Sequence, residues 1–89
     1  ILIDCLTLWL SNHLLKKNDL EKKIDELTHV LRNSQSNIVL VSNEVGTGIV
    51  PDNALARGFR DSAGLMNQKI AAVSHQVYWV VAGIPTRIK

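Results

Sequence analysis

Apolar residues recur along this chain with two different periods, and the points where the period changes divide it into elements. Residues 1–6 are apolar except for Asp4, the pattern of a buried strand. Leu6, Leu10 and Leu14 then recur every fourth residue, which predicts a helix over residues 7–17 with Lys16 and Lys17 well placed at its carboxyl end. Asn18 precedes Glu21 by three residues as a loose capping box. Leu20, Ile24, Leu27 and Leu31 follow as one stripe among charged residues, which predicts an amphipathic surface helix through Arg32. After a polar loop over 33–36, residues 38–42 read as a strand apolar on both faces, as expected in a parallel sheet covered by helices on both sides. A loop over 43–52 leads into a long helix, 53–74, marked by Leu55, Phe59, Ala63, Met66, Ile70 and Val73. Residues 77–82 predict a third buried strand ending at Gly83-Ile84-Pro85.

The order strand, helix, helix, strand, loop, helix, strand implies an α/β sandwich with parallel strands and right-handed crossovers. Three strands are few for such a sheet, and the chain opens directly in a core strand without an initiator Met. Both features lead us to expect the C-terminal portion of a longer polypeptide, with further sheet upstream. Length changes the picture little: 89 residues make at most one small domain. The net charge of +2 comes from scattered basic residues and gives no footprint for nucleic acid. No apolar run approaches membrane-spanning length, so no membrane partner is expected. The single cysteine, Cys5, excludes an internal disulfide and a Cys-rich zinc site, and points to a reduced, cytoplasmic setting. It reads as a small core residue beside Asp4.

Candidate chemistry gathers where strands end. Asp4 closes the first strand, where a carboxylate can hold Mg²⁺ on a nucleotide or simply cap a turn. Ser42-Asn43-Glu44 breaks the second apolar run. Asn43 can donate and accept, and Glu44 can bind a cation or act as a base; either can instead satisfy loop backbone groups. Gly46 and Gly48 allow close approach of the backbone to a ligand. Arg57 and Arg60, three apart on one helix, suit a phosphate; the simpler reading is a solvated face with an Arg57–Asp61 pair. His13, His29 and His75 are too far apart in sequence to suggest a metal cluster.

Together these segments resemble the bifunctional adenosylcobinamide kinase/adenosylcobinamide-phosphate guanylyltransferase family. Asp4-Cys5-Leu6-Thr7-Leu8-Trp9-Leu10-Ser11-Asn12 is similar to its second nucleotide-binding segment. Ser42-Asn43-Glu44-Val45-Gly46 with Gly48-Ile49-Val50-Pro51 resembles its most distinctive loop. Leu55-Ala56-Arg57, Phe59-Arg60-Asp61, Ala63-Gly64 and Asn67-Gln68 resemble its long helix, and Val80-Val81-Ala82-Gly83-Ile84-Pro85 with Lys89 its last strand and tail. The resemblance implies a P-loop NTPase-like, RecA-type three-layer sandwich with a mainly parallel sheet, of which this chain is the C-terminal part. It implies ATP or GTP phosphorylating adenosylcobinamide, then GTP donating GMP to the resulting phosphate through a guanylylated histidine. It implies Mg²⁺ and a homotrimer. Asp4 falls on its Walker B-like carboxylate position and so on the nucleotide–Mg²⁺ group. Asn43 and Glu44 fall on the family's distinctive loop and are expected to line the catalytic substrate cleft; Arg57 and Arg60 match the family's helix, with nucleotide phosphate contact and structural pairing both open.

Two departures qualify this. The family's Gly-rich loop ending in Gly-Lys-Ser does not occur in these residues, and none of the three histidines matches the guanylylated position. The 89 residues alone are therefore expected to be inactive. A different class of function stays open: a truncated, non-catalytic paralogue that binds the corrinoid or an intact subunit.

Overall fold

A computed structural model describes residues 1–16, 18–44 and 53–89. Among these, strand β1 (Leu2–Asp4) leads into helices α1 (Leu6–Leu15) and α2 (Leu20–Asn33). Strand β2 (Val39–Val41), helix α3 (Ala54–Val73) and strands β3 (Tyr78–Val81) and β4 (Ile84–Arg87) follow. The result is a small α/β unit. Its parallel pair is β1 and β2, in the register Leu2↔Val39, Ile3↔Leu40, Asp4↔Val41.

Because strand side chains alternate, this register puts Ile3 and Leu40 together on one face. All three helices gather on that face. Leu6 and Leu10 of α1, Ile24 of α2 and Ala63, Met66 and Ile70 of α3 form the buried core, with Ile3 and Leu40 packed against it. The stripes of α2 and α3 are those of the sequence: Leu20, Leu27, Leu31 and Phe59 border the core. Leu55 of α3 is exposed, since the first turn extends past the core.

The opposite face differs from expectation. Leu2, Val39 and Val41 were expected to be covered on both sides, but they are exposed, Val39 at 61%. Among the described residues helices cover one face of the parallel pair, giving two layers.

The third strand is also corrected. Residues 78–81 do not join the parallel pair; they form an antiparallel hairpin with β4. The two-residue turn after β3 accounts for the hairpin. Ala82 (φ 51°) and Gly83 (φ 74°) both take positive φ, the twist that folds one strand back on the next. Every residue of this hairpin is exposed, although its apolar run reads as core.

Caps set the helix boundaries. Asp19, not Asn18, caps α2, accepting the Lys22 N–H at 3.2 Å; the Asn18 amide is engaged instead by His13 Nδ1 at 2.8 Å. Asn53 caps α3, accepting from the Leu55 and Ala56 N–H groups at 2.8 and 3.2 Å. At the other end of α3, the carbonyls that lack a helical partner are met by the Lys89 ammonium, 2.8 Å from Ala71 O and 3.2 Å from Ala72 O. The Ser74 hydroxyl donates to Ile70 O at 2.7 Å. Lys69 ties α3 to α2 through Asp25, 2.7 Å away.

Two stability outcomes follow. Leu10 is fully enclosed and Leu8, on the same helix, is 61% exposed. Leu10→Ala should cost about 2–5 kcal/mol by denaturant unfolding, whereas Leu8→Ala should stay within about 0.5 kcal/mol. The hydrogen bond to Asp25 holds the Lys69 ammonium above the ordinary lysine pKa, with desolvation opposing it. A raised folded-state pKa means the pair's contribution is complete below the ordinary lysine value and is lost as pH rises through the folded value. The stability gap between the parent chain and Lys69→Met should therefore close in strong alkali and stay constant around neutrality.

Candidate functional site at the carboxyl edge of the parallel strands

The register that pairs Asp4 with Val41 sends both strands out at the same sheet edge. Asp4 is the last residue of β1, and Ser42, Asn43 and Glu44 are the first residues after β2. In an open parallel sheet this edge is where ligands sit. Three of the residues singled out by the sequence, Asp4, Asn43 and Glu44, are thus brought to one place, and all three are exposed.

A hydrogen-bonded chain holds this edge. The Asn43 side-chain amide donates from Nδ2 to Thr7 Oγ1 at 3.2 Å, and Thr7 Oγ1 lies 3.0 Å from Cys5 Sγ. Since Asn43 can only donate through Nδ2, Thr7 accepts from it and its own hydroxyl hydrogen is available for the sulfur. The Leu8 N–H also reaches Cys5 Sγ, at 3.4 Å. Cys5 is therefore the N-cap of α1 and only half-buried, rather than the core residue its composition suggests. The Thr7 hydrogen bond, and after it the Leu8 N–H, draw the thiol below its ordinary pKa. On the other side, Ser42 Oγ donates to Asn67 Oδ1 of α3 at 2.7 Å, and Asn67 Nδ2 donates to the Asn43 carbonyl at 3.3 Å.

Arg57 and Arg60 lie elsewhere on α3. They occupy its first two turns, exposed and half-buried respectively. At the helical rise, seven residues separate Arg60 from Asn67, about 10 Å along the axis. The arginines thus stand toward the amino end of α3, about two to three turns before Asn67, the residue that reaches the strand edge. Of the loop expected over 43–52, residues 45–52, with Gly46 and Gly48, lie outside the described residues, as does Lys17.

Thr7, Ser42 and Asn67 hold the edge; the sequence marks Ser42 within the Ser42-Asn43-Glu44 break, whereas Thr7 and Asn67 carry no site role in the sequence reading. Thr7 is the sole buried polar side chain among the described residues, at 6% exposure. Its signal was a hydroxyl on the second residue of a helix whose neighbours, Leu6 and Leu10, are core. For Asn67 the signal was an amide in the interior of an otherwise apolar helix stripe, a position asparagine disfavours.

The family model for cobinamide kinase / cobinamide phosphate guanyltransferase matches residues 1–88. The chain belongs to that family. The family's bifunctional adenosylcobalamin biosynthesis protein CobU of Salmonella typhimurium is 41% identical over 104 aligned residues, which take in 100% of this chain and 58% of that protein. The protein CobP of Pseudomonas aeruginosa, with the same description, is 42% identical over 91 residues, 100% of this chain and 53% of the relative. CobU of Escherichia coli is 48% identical over 67 residues, 75% of this chain and 37% of the relative. The chain therefore spans little more than half the length of the Salmonella and Pseudomonas relatives, and its match to the Escherichia coli protein takes in about a third of that relative. The family resemblance read from the motifs is thus correct.

Thr7→Val keeps the shape of the side chain and removes the hydroxyl between Asn43 and Cys5. It should lower stability by about 1 kcal/mol in denaturant unfolding, more than the same measurement finds for Thr86→Val, at an exposed position of β4.

Proposed function

We infer that this chain is the C-terminal part of a bifunctional adenosylcobinamide kinase/adenosylcobinamide-phosphate guanylyltransferase acting in cobalamin biosynthesis. The observation that carries this reading is the meeting of Asp4 with Asn43 and Glu44 at one edge of two parallel strands, in a chain of this family. In the kinase step ATP or GTP phosphorylates a hydroxyl of adenosylcobinamide. In the transferase step GTP donates GMP to that phosphate and pyrophosphate leaves. The Gly-rich phosphate cradle and the guanylylated histidine belong to the preceding part of the polypeptide.

The donor set fits a magnesium nucleotide. Among the described residues no cluster of three or more His, Cys, Asp or Glu offers an all-protein cage. An exposed carboxylate at the strand edge suits Mg²⁺, which takes one or two carboxylates and keeps waters and phosphate oxygens as its other ligands. Asp4 would hold it, and when bound it neutralises charge on the phosphates. Glu44 accepts the hydrogen bond of the substrate hydroxyl and is the base for its proton. Asn43, anchored at Nδ2 by Thr7, orients the substrate. Arg57 and Arg60 contact the nucleotide phosphates from the amino end of α3.

The exposed apolar residues of the parallel pair and of the hairpin support a larger whole, because contiguous apolar surface of this kind is normally covered. The reading is a P-loop, RecA-type three-layer sandwich completed by the preceding polypeptide and assembled as a cytoplasmic homotrimer. No helix among the described residues is long and apolar enough to cross a membrane.

In the full-length protein, Glu44→Gln should lower turnover of adenosylcobinamide about a hundredfold or more and shift the melting temperature by less than about 2 °C. Unchanged turnover removes Glu44 from the chemistry. A full-length parent that binds the corrinoid yet turns over neither substrate marks the non-catalytic paralogue instead.

A further inference from the structure

Asparagine is a poor residue for a helix interior, because its short amide competes for the backbone's own hydrogen bonds. Asn67 nevertheless stands in the middle of α3, next to buried Met66 and three residues before buried Ile70, and is itself half-buried. Both ends of its amide are used on one short piece of chain. Oδ1 accepts the Ser42 hydroxyl at 2.7 Å, and Nδ2 donates to the Asn43 carbonyl at 3.3 Å. One acceptor and one donor are needed in that order, which neither a carboxylate nor a methyl group supplies. Asn43 is gripped from the other side by Thr7, at the start of α1. The segment immediately before Glu44 is thus clamped between a helix seated in the core and the first turn after Asp4.

We propose that Asn67 is a positioning residue for the strand-edge site. It sets the path of the backbone leaving β2, and so fixes where Asn43 and Glu44 stand relative to Asp4. The proposal rests on the functional reading above and adds to it a residue that reaches the reaction only through Ser42 and Asn43. Group transfer of this kind depends on alignment of the reacting groups, and a displacement of about 1 Å can cost about a hundredfold in rate. Ser42 and Asn67 act as one unit, since each is the other's partner.

The test uses the full-length protein carrying this chain, with Asn67→Ala, Ser42→Ala and the double variant. Each single change should lower kcat by about ten- to a hundredfold, with KM for the nucleoside triphosphate within about twofold of the parent. The double variant should be about as slow as Asn67→Ala, because the two residues share one interaction. Asn67→Asp retains the acceptor for Ser42 but sets an oxygen against the Asn43 carbonyl, and should be as slow as Asn67→Ala. Values of kcat within about twofold of the parent in both single variants would overturn the proposal, whatever happens to the melting temperature.

The amide resonances of Asn43 and Glu44 give a readout independent of turnover. They should move in Asn67→Ala and Ser42→Ala and stay in place in Asn33→Ala, a change at the far end of α2. Resonances that do not move would overturn the proposal even in an inactive protein. An inactive parent in which they do move would refute the functional reading and leave the clamp standing.

Discussion

Everything in this chain leans on the seating of α3. Its stripe of Ala63, Met66 and Ile70 is the part of the core that faces both other helices. Without that contact α1 and α2 would have little to bury against, and the inner face of the parallel pair would lose its cover. An amphipathic helix draws most of its stability from such packing rather than from propensity. The same helix carries Asn67 to the strand edge, so the burial that holds the fold together also holds the candidate site.

The parallel pair converts this packing into chemistry. Its one-sided cover follows from the register, with Ile3 opposite Leu40 toward the helices and Leu2 opposite Val39 away from them. The register also decides that Asp4 ends opposite Val41, one residue before the Ser42 hydroxyl. A slip of one residue would exchange the two faces and carry Asp4 out of step with Asn43. Fold and site thus have a common origin in a short ladder, which two hydroxyls, a thiol and two amides tie to the helices.

Where period and caps agree, the sequence is readable. The stripes of α2 and α3 and the start of α3 near Asn53 follow from spacing, and the gathering of Asp4, Asn43 and Glu44 follows from where the strands end, because these depend on local rules that the structure leaves in force. What covers the outer face of the strands is not legible within this chain, because an apolar run reports what a residue prefers and not which neighbour supplies the cover. The hairpin was missed because Ala82-Gly83 lacks the Asn-Gly or Asp-Gly signature of a tight turn, although both residues adopt its backbone. The chain Ser42–Asn67–Asn43–Thr7 escaped for another reason. Its members are 24 to 36 residues apart along the chain, and polar contacts over such separations leave no periodic trace.

The two ends of α3 are held by different means, an Asn53 amide at the start and the Lys89 ammonium at the close. Fixed at both ends, the helix works as a ruler. From its first residue to Asn67 it measures about 20 Å, and one residue added or removed would turn Asn67 by about 100° around the axis. The spacing between Asn53 and Asn67 is therefore a length constraint of its own. The polar connection over 33–36 is under no such restriction, and changes of chain length should collect there rather than inside the helix.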